Sequence, residues 1–101
     1  MLEHRPSCEN CDKDLPPAAT DACICSYECT YCRDCVELLE NVCPNCGGGF
    51  VPRPVRPKAE LRPGVGLGKQ PASTKRVLNP IDTAAHKEYA ATIKTIPQHE
   101  R

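Results

Sequence analysis

Nine cysteines stand in the first half of this 101-residue chain: Cys8, Cys11, Cys23, Cys25, Cys29, Cys32, Cys35, Cys43 and Cys46. Two residues separate the partners in Cys8-Glu-Asn-Cys11, Cys32-Arg-Asp-Cys35 and Cys43-Pro-Asn-Cys46. That spacing lets two sulfurs of one tight turn grip a single ion, while backbone N–H groups of the turn point at the thiolates. Gly47 supplies a residue able to take positive φ where the chain leaves the last turn. Cys-Pro-x-Cys-Gly is the signature of a zinc knuckle. Sulfur-only tetrahedral ligation in a reduced compartment selects Zn²⁺.

Other thiol chemistries fit less well. A disulfide framework conflicts with the odd cysteine count, and Met1-Leu2-Glu3-His4-Arg5-Pro6 lacks the apolar stretch of a signal peptide. A thioredoxin-like site needs one Cys-x-x-Cys within a strand–helix–strand pattern, and none surrounds these pairs. An iron–sulfur cluster also takes four thiolates. Eight thiolates make two four-ligand sites and leave one sulfur over. Cys23 and Cys25 flank Ile24 and point oppositely on an extended strand, so one of them faces away from the metal. All-cysteine sites are closed to water and substrate, which makes the ions structural and predicts no enzyme. His4, His86 and His99 lie outside the knuckles and are expected at the surface.

The elements that position these sulfurs must be short. Val36, Leu39 and Val42 recur three apart, as on one face of a helix following Cys35, and Leu38 falls off that face. Ile24, Tyr27, Tyr31 and Phe50 are expected to supply strands packed against it, with Leu15-Pro16-Pro17 an irregular loop.

The cysteine order resembles that of RING fingers. It reads Cys8/Cys11, Cys25, Cys29, Cys32/Cys35, a helical stretch Val36-Glu37-Leu38-Leu39-Glu40, then Cys43-Pro44-Asn45-Cys46. Cys29 takes the position usually held by His, and Cys23 becomes the spare thiol. The resemblance implies a cross-brace: Cys8, Cys11, Cys32 and Cys35 on one Zn²⁺, Cys25, Cys29, Cys43 and Cys46 on the other. A sequential pairing, first four against last four, is the alternative. The fold class implied is a small metal-stabilised zinc finger with a RING-like cross-brace, two zinc sites, one short helix and short strands. RING ligases are docking platforms, but polar Asn10 and Gly47 depart from their usual apolar and basic residues. A ubiquitin-ligase role is therefore not expected.

The head also resembles a small bacterial cysteine-rich family, domain of unknown function 1272. The likeness is carried by the opening Met-Leu-Glu-x-Arg-Pro, by Cys-x-x-Cys-Asp-Lys-Asp-Leu-Pro-Pro and by Cys-Pro-Asn-Cys-Gly-Gly. It implies a compact metal-binding fold and no known activity.

With no Trp, one Phe and three Tyr, apolar burial is too small to order some 40 residues at ~1–2 kcal/mol each. Metal binding at roughly 10–16 kcal/mol per structural site is the term that would offset it. No apolar run is long enough to span a membrane, and a cytoplasmic location is expected.

Charge divides the chain. Residues 1–50 carry three basic and nine acidic side chains, whereas residues 51–101 carry ten basic and four acidic. The expected organisation is a double-zinc head over 1–51 and a Pro-rich basic linker over 52–79. A short amphipathic helix over 80–96 and a disordered tail over 97–101 complete it. The C-terminal extension is thus mostly irregular. Asn79 is expected to cap the helix, with Pro80 at its first position and Ala85, Tyr89, Ile93 and Ile96 as its stripe. Gly64-Val-Gly66-Leu-Gly68-Lys69 lacks the context of a phosphate loop and reads as a hinge. The functional expectation is a structural protein-interaction module with a protein partner, no membrane and no small-molecule substrate. Its alternatives are nucleic-acid binding through Arg53 to Arg76 of the basic tail, or a thiol-based redox or metal sensor centred on Cys23.

Overall fold

Two β-rich triplets either side of a five-residue turn form the centre of the molecule, a computed structural model that describes residues 1–101. Strand β1 (Ala22–Ile24) pairs antiparallel with β2 (Thr30–Cys32), setting Cys23 opposite Tyr31. The turn closes with Glu28 at φ 66°, donating its N–H to Cys25 O at 3.0 Å. Tyr27 sits at the apex and is 74% exposed, not packed in the core as expected, because both flanking cysteines turn inward and push it out. Helix α1 (Arg33–Leu38) follows β2 without a loop. It stops where Glu40 and Asn41 both take positive φ, and Asn41 Oδ1 accepts the Phe50 N–H at 2.9 Å. Strand β3 (Val51–Pro52) returns to the other edge of β1, giving sheet order β2-β1-β3.

The core is small and mostly sulfur. Seven of the twelve residues of its main cluster are cysteines, leaving Leu15, Ala22, Tyr31, Leu39 and Phe50 as apolar filler. Tyr31 meets Phe50 edge to face, centroids 5.4 Å apart. Leu39 and Val42 are buried and Leu38 faces out, as their spacing predicts.

The basic segment after β3 lies along the head instead of hanging free. Arg53 is buried and donates to Arg5 O at 2.8 Å, Leu15 O at 3.1 Å and Pro16 O at 3.0 Å. Arg56 donates to Gln70 O at 2.7 Å and to Leu2 O. Residues 64–70 form a closed turn, not an open hinge, because the Gln70 side chain donates to Gly64 O and accepts from Gly66 N–H. Ser73 N–H then reaches His4 O at 2.9 Å. Arg76 pairs with Asp12 and Asp14 of the acidic head.

Helix α2 runs over Thr83–Ile93, shorter than the expected 80–96. Asp82 is its N-cap, accepting from Ala85 N–H at 3.1 Å, while Pro80 and Ile81 are held extended against the head. Its buried face is His86 and Ala90, one residue round from the expected stripe, with Tyr89 45% exposed. The rotation follows from His86, whose Nε2–H donates to Leu39 O at 2.9 Å at the end of α1. His86 and His4 are therefore buried, not superficial. Gln98–Glu100 make a 3₁₀ turn, Gln98 covers Gly49, and Arg101 donates to Asn41 O at 3.0 Å. No helix is long and apolar enough to cross a membrane.

Candidate metal centres

Three local turns and one helix start present the sulfurs, and two of the turns are built alike. In the first knuckle, Cys8 N–H donates to Lys13 O and Asp12 N–H to Cys8 O, at 2.9 and 3.0 Å. In the last, Cys43 N–H donates to Gly48 O and Gly47 N–H to Cys43 O, both at 2.8 Å. The fourth residue after the leading cysteine has positive φ in both, 63° at Asp12 and 77° at Gly47. Asp tolerates this region through its short polar side chain, so Asp12 takes the place that Gly47 fills in the other knuckle. Cys32 closes β2 and Cys35 lies in the first turn of α1, so the strand-to-helix junction sets that pair.

The sulfurs of Cys8, Cys11, Cys32 and Cys35 lie within 4.8 Å of one another. Those of Cys25, Cys43 and Cys46 do the same, and Cys29 is buried beside this trio, in hydrogen-bonding contact with Cys25. The grouping is crosswise: the first pair joins the third, and the hairpin turn joins the last. Cys23 points away from both clusters and is buried. No cysteines are joined in disulfides.

The spacing fits a tetrahedral thiolate site. Zn–S bonds of ~2.3 Å place sulfurs about 3.8 Å apart along a tetrahedron's edge. Cys11 Sγ and Cys32 Sγ are 3.8 Å apart, far beyond the ~2.05 Å of a disulfide. Burial raises the thiols of Cys35, Cys43 and Cys32, and pushes Cys25 up to about 11. Burial works the same way on Cys11, but the Lys13 backbone N–H and the neighbouring thiols outweigh it and lower that thiol. The raised thiols, two in each cluster, resist ionising unless a cation joins them. A divalent ion reverses this and displaces the protons.

Sequence reasoning missed the donors that surround the sulfurs. Asn10 Nδ2 donates to Cys35 Sγ at 3.3 Å, and Asn45 Nδ2 to Cys29 Sγ at 3.4 Å. Each asparagine sits in one knuckle and serves a sulfur of the pair opposite. The repeated Cys-x-Asn-Cys was the available signal. Gly48 N–H also lies 3.4 Å from Cys46 Sγ.

Comparison with known proteins follows this division of the molecule. A family described as "Protein of unknown function (DUF1272)" matches residues 1–56, the head and the start of the segment that clasps it. An uncharacterised protein of Rhizobium meliloti (strain 1021) is 56% identical over 88 residues, covering 86% of this chain and 98% of that protein. The likeness to that relative thus extends beyond the cysteine head into the C-terminal extension. No solved structure matches the chain.

Proposed function

The chain belongs to the DUF1272 family, and from that premise we propose that it is a two-zinc protein-interaction module whose ions are structural. The observation that carries this reading is the crosswise gathering of Cys8, Cys11, Cys32 and Cys35 around one point. The donor set is soft, anionic and closed, which favours Zn²⁺ and leaves no position for a reacting ligand. Cys25, Cys29, Cys43 and Cys46 would hold the second ion. The other convergent charged groups, Arg5 with Glu3 and Glu9 and Arg76 with Asp12 and Asp14, are paired with one another, which favours a structural over a catalytic reading. What remains is a rigid small surface, fit for docking on another protein in the cytoplasm.

The alternatives find less support. Arg53, Arg56 and Arg76 are engaged with carbonyls and carboxylates of the head, so a phosphate backbone would have to compete for them. Cys23 is buried and burial raises its thiol, the opposite of a reactive sensor.

Native mass spectrometry with metal analysis tests the reading. The wild type and Cys23→Ala should each carry two zinc ions, and Cys32→Ser should lose at least one. Ordered protein free of metal, or equal loading of Cys32→Ser, would refute it.

A further inference from the structure

Asn10 is held from two sides. Its amide donates to Cys35 Sγ, and its side-chain oxygen accepts the Ile81 N–H at 2.8 Å, across a sequence separation of 71. A side-chain amide has two flipped orientations of nearly the same shape. The Ile81 N–H can only donate, so it selects the orientation that turns the oxygen to the tail and the NH₂ to the sulfur. The same stretch of tail is fastened on either side of Ile81. Asn79 N–H donates to Glu9 O at 2.7 Å within the knuckle, and His86 donates to Leu39 O at 2.9 Å beyond it. Ile81 itself packs on the sulfur-rich core. Asn45 makes the equivalent sulfur contact in the second cluster, and the structure gives its oxygen no such backbone donor.

Four thiolates around Zn²⁺ leave two negative charges on the site, and hydrogen bonds to the sulfurs disperse them. A donor locked in place does this better than one free to rotate. We propose that Asn79–His86 is a latch on the first cluster, coupling tail docking to ion retention by Cys8, Cys11, Cys32 and Cys35 through Asn10. Linkage makes the effect reciprocal: the ion holds the tail down, and a protein that lifts the tail loosens that ion and leaves the other in place.

This rests on the two-zinc reading, and the test separates the two. Full-length protein loaded with Zn²⁺ is mixed with excess chromogenic chelator, and transfer of the two ions is followed in time. Cadmium-loaded samples of each variant, examined by cadmium NMR, identify which cluster is perturbed. Asn10→Ala should speed loss of the first-cluster ion about 10–100-fold. His86→Ala, which frees the tail, should speed the same ion about 5-fold or more. The double variant should be no faster than Asn10→Ala alone, and Asn45→Ala should act on the other ion. Should Asn10→Ala fail to fold, Ile81→Pro, which deletes the backbone donor, is expected to match His86→Ala, with Ile81→Ala, which keeps that donor, as the control for the lost side-chain packing. The latch is refuted if amide exchange shows the tail freed while both rates stay at wild type. It is equally refuted if both ions accelerate alike, or if the double variant multiplies the single effects. Protein that carries no ions would sink the two-zinc reading itself, whereas two ions with no coupling would sink the latch alone.

Discussion

At the scale of single residues, the knuckles are governed by backbone handedness. Gly47 at φ 77° has Tyr89 Oη 3.1 Å from where a Cβ would stand. Gly47→Ala therefore meets both the left-handed penalty of ~1–2 kcal/mol and a crowded neighbour from α2. We expect it to lower the stability of the metal-loaded protein by about that amount, read as a shift of the denaturant midpoint. Asp12→Gly should be nearly neutral by the same measurement, because the lost pair with Arg76 is exposed and worth little. Asp12 was legible in the sequence only as an acidic residue. Its role depends on φ, which a residue type does not announce.

At the scale of elements, one cation ties the β3 edge of the sheet to two loops. β3 is two residues long, and Arg53 directly after it binds three backbone carbonyls from two separate loops. The planar fork of a guanidinium reaches all three, and an ammonium does not. Arg53→Lys is expected to cost about 2–3 kcal/mol by leaving buried carbonyls unpaired. A chemical-denaturation curve unchanged from wild type would contradict this assignment. From sequence, Arg53 reads only as part of the Pro-rich basic linker over 52–79, since nothing local marks a buried arginine. The helices show the same division. α1 was legible in part: Val36 and Leu39 are spaced by the helical period, but the helix opens at Arg33, before Cys35, and ends at Leu38, leaving Leu39 as its C-cap and Val42 beyond it. The bounds and buried face of α2 were not, because His86 and Asp82, not the apolar stripe, decide how it sits. The crosswise gathering of the cysteines followed from a resemblance in their order. The asparagine donors and buried histidines did not, since both are set by contacts across the fold.

At the scale of the whole molecule, the main core cluster has only five residues of apolar filler beside its seven cysteines, so the fold is expected to depend on what the sulfurs hold. Removing the ions with a chelator should collapse far-UV circular dichroism and amide dispersion together, at a cost of roughly 10–16 kcal/mol per site. Acid should do the same. Burial raises the thiols of Cys25, Cys35 and Cys43, so protons compete strongly for them, and ion affinity falls as pH is lowered. Retained structure after chelation would overturn this account. The charge division is also resolved at this scale: the basic half and the acidic half belong to one folded body, joined by Arg76 to Asp12 and by Lys94 to Glu40.

The interleaving of the two clusters bears on how the chain must be made. The first set of sulfurs is complete only once Cys35 has left the ribosome, and the second only after Cys46. The hairpin sulfur Cys25 emerges inside the first set and stays unmatched until the last knuckle follows. Under the two-zinc proposal, the order of emergence sets the order of filling: the ion of Cys8, Cys11, Cys32 and Cys35 enters first, and that of the last knuckle second.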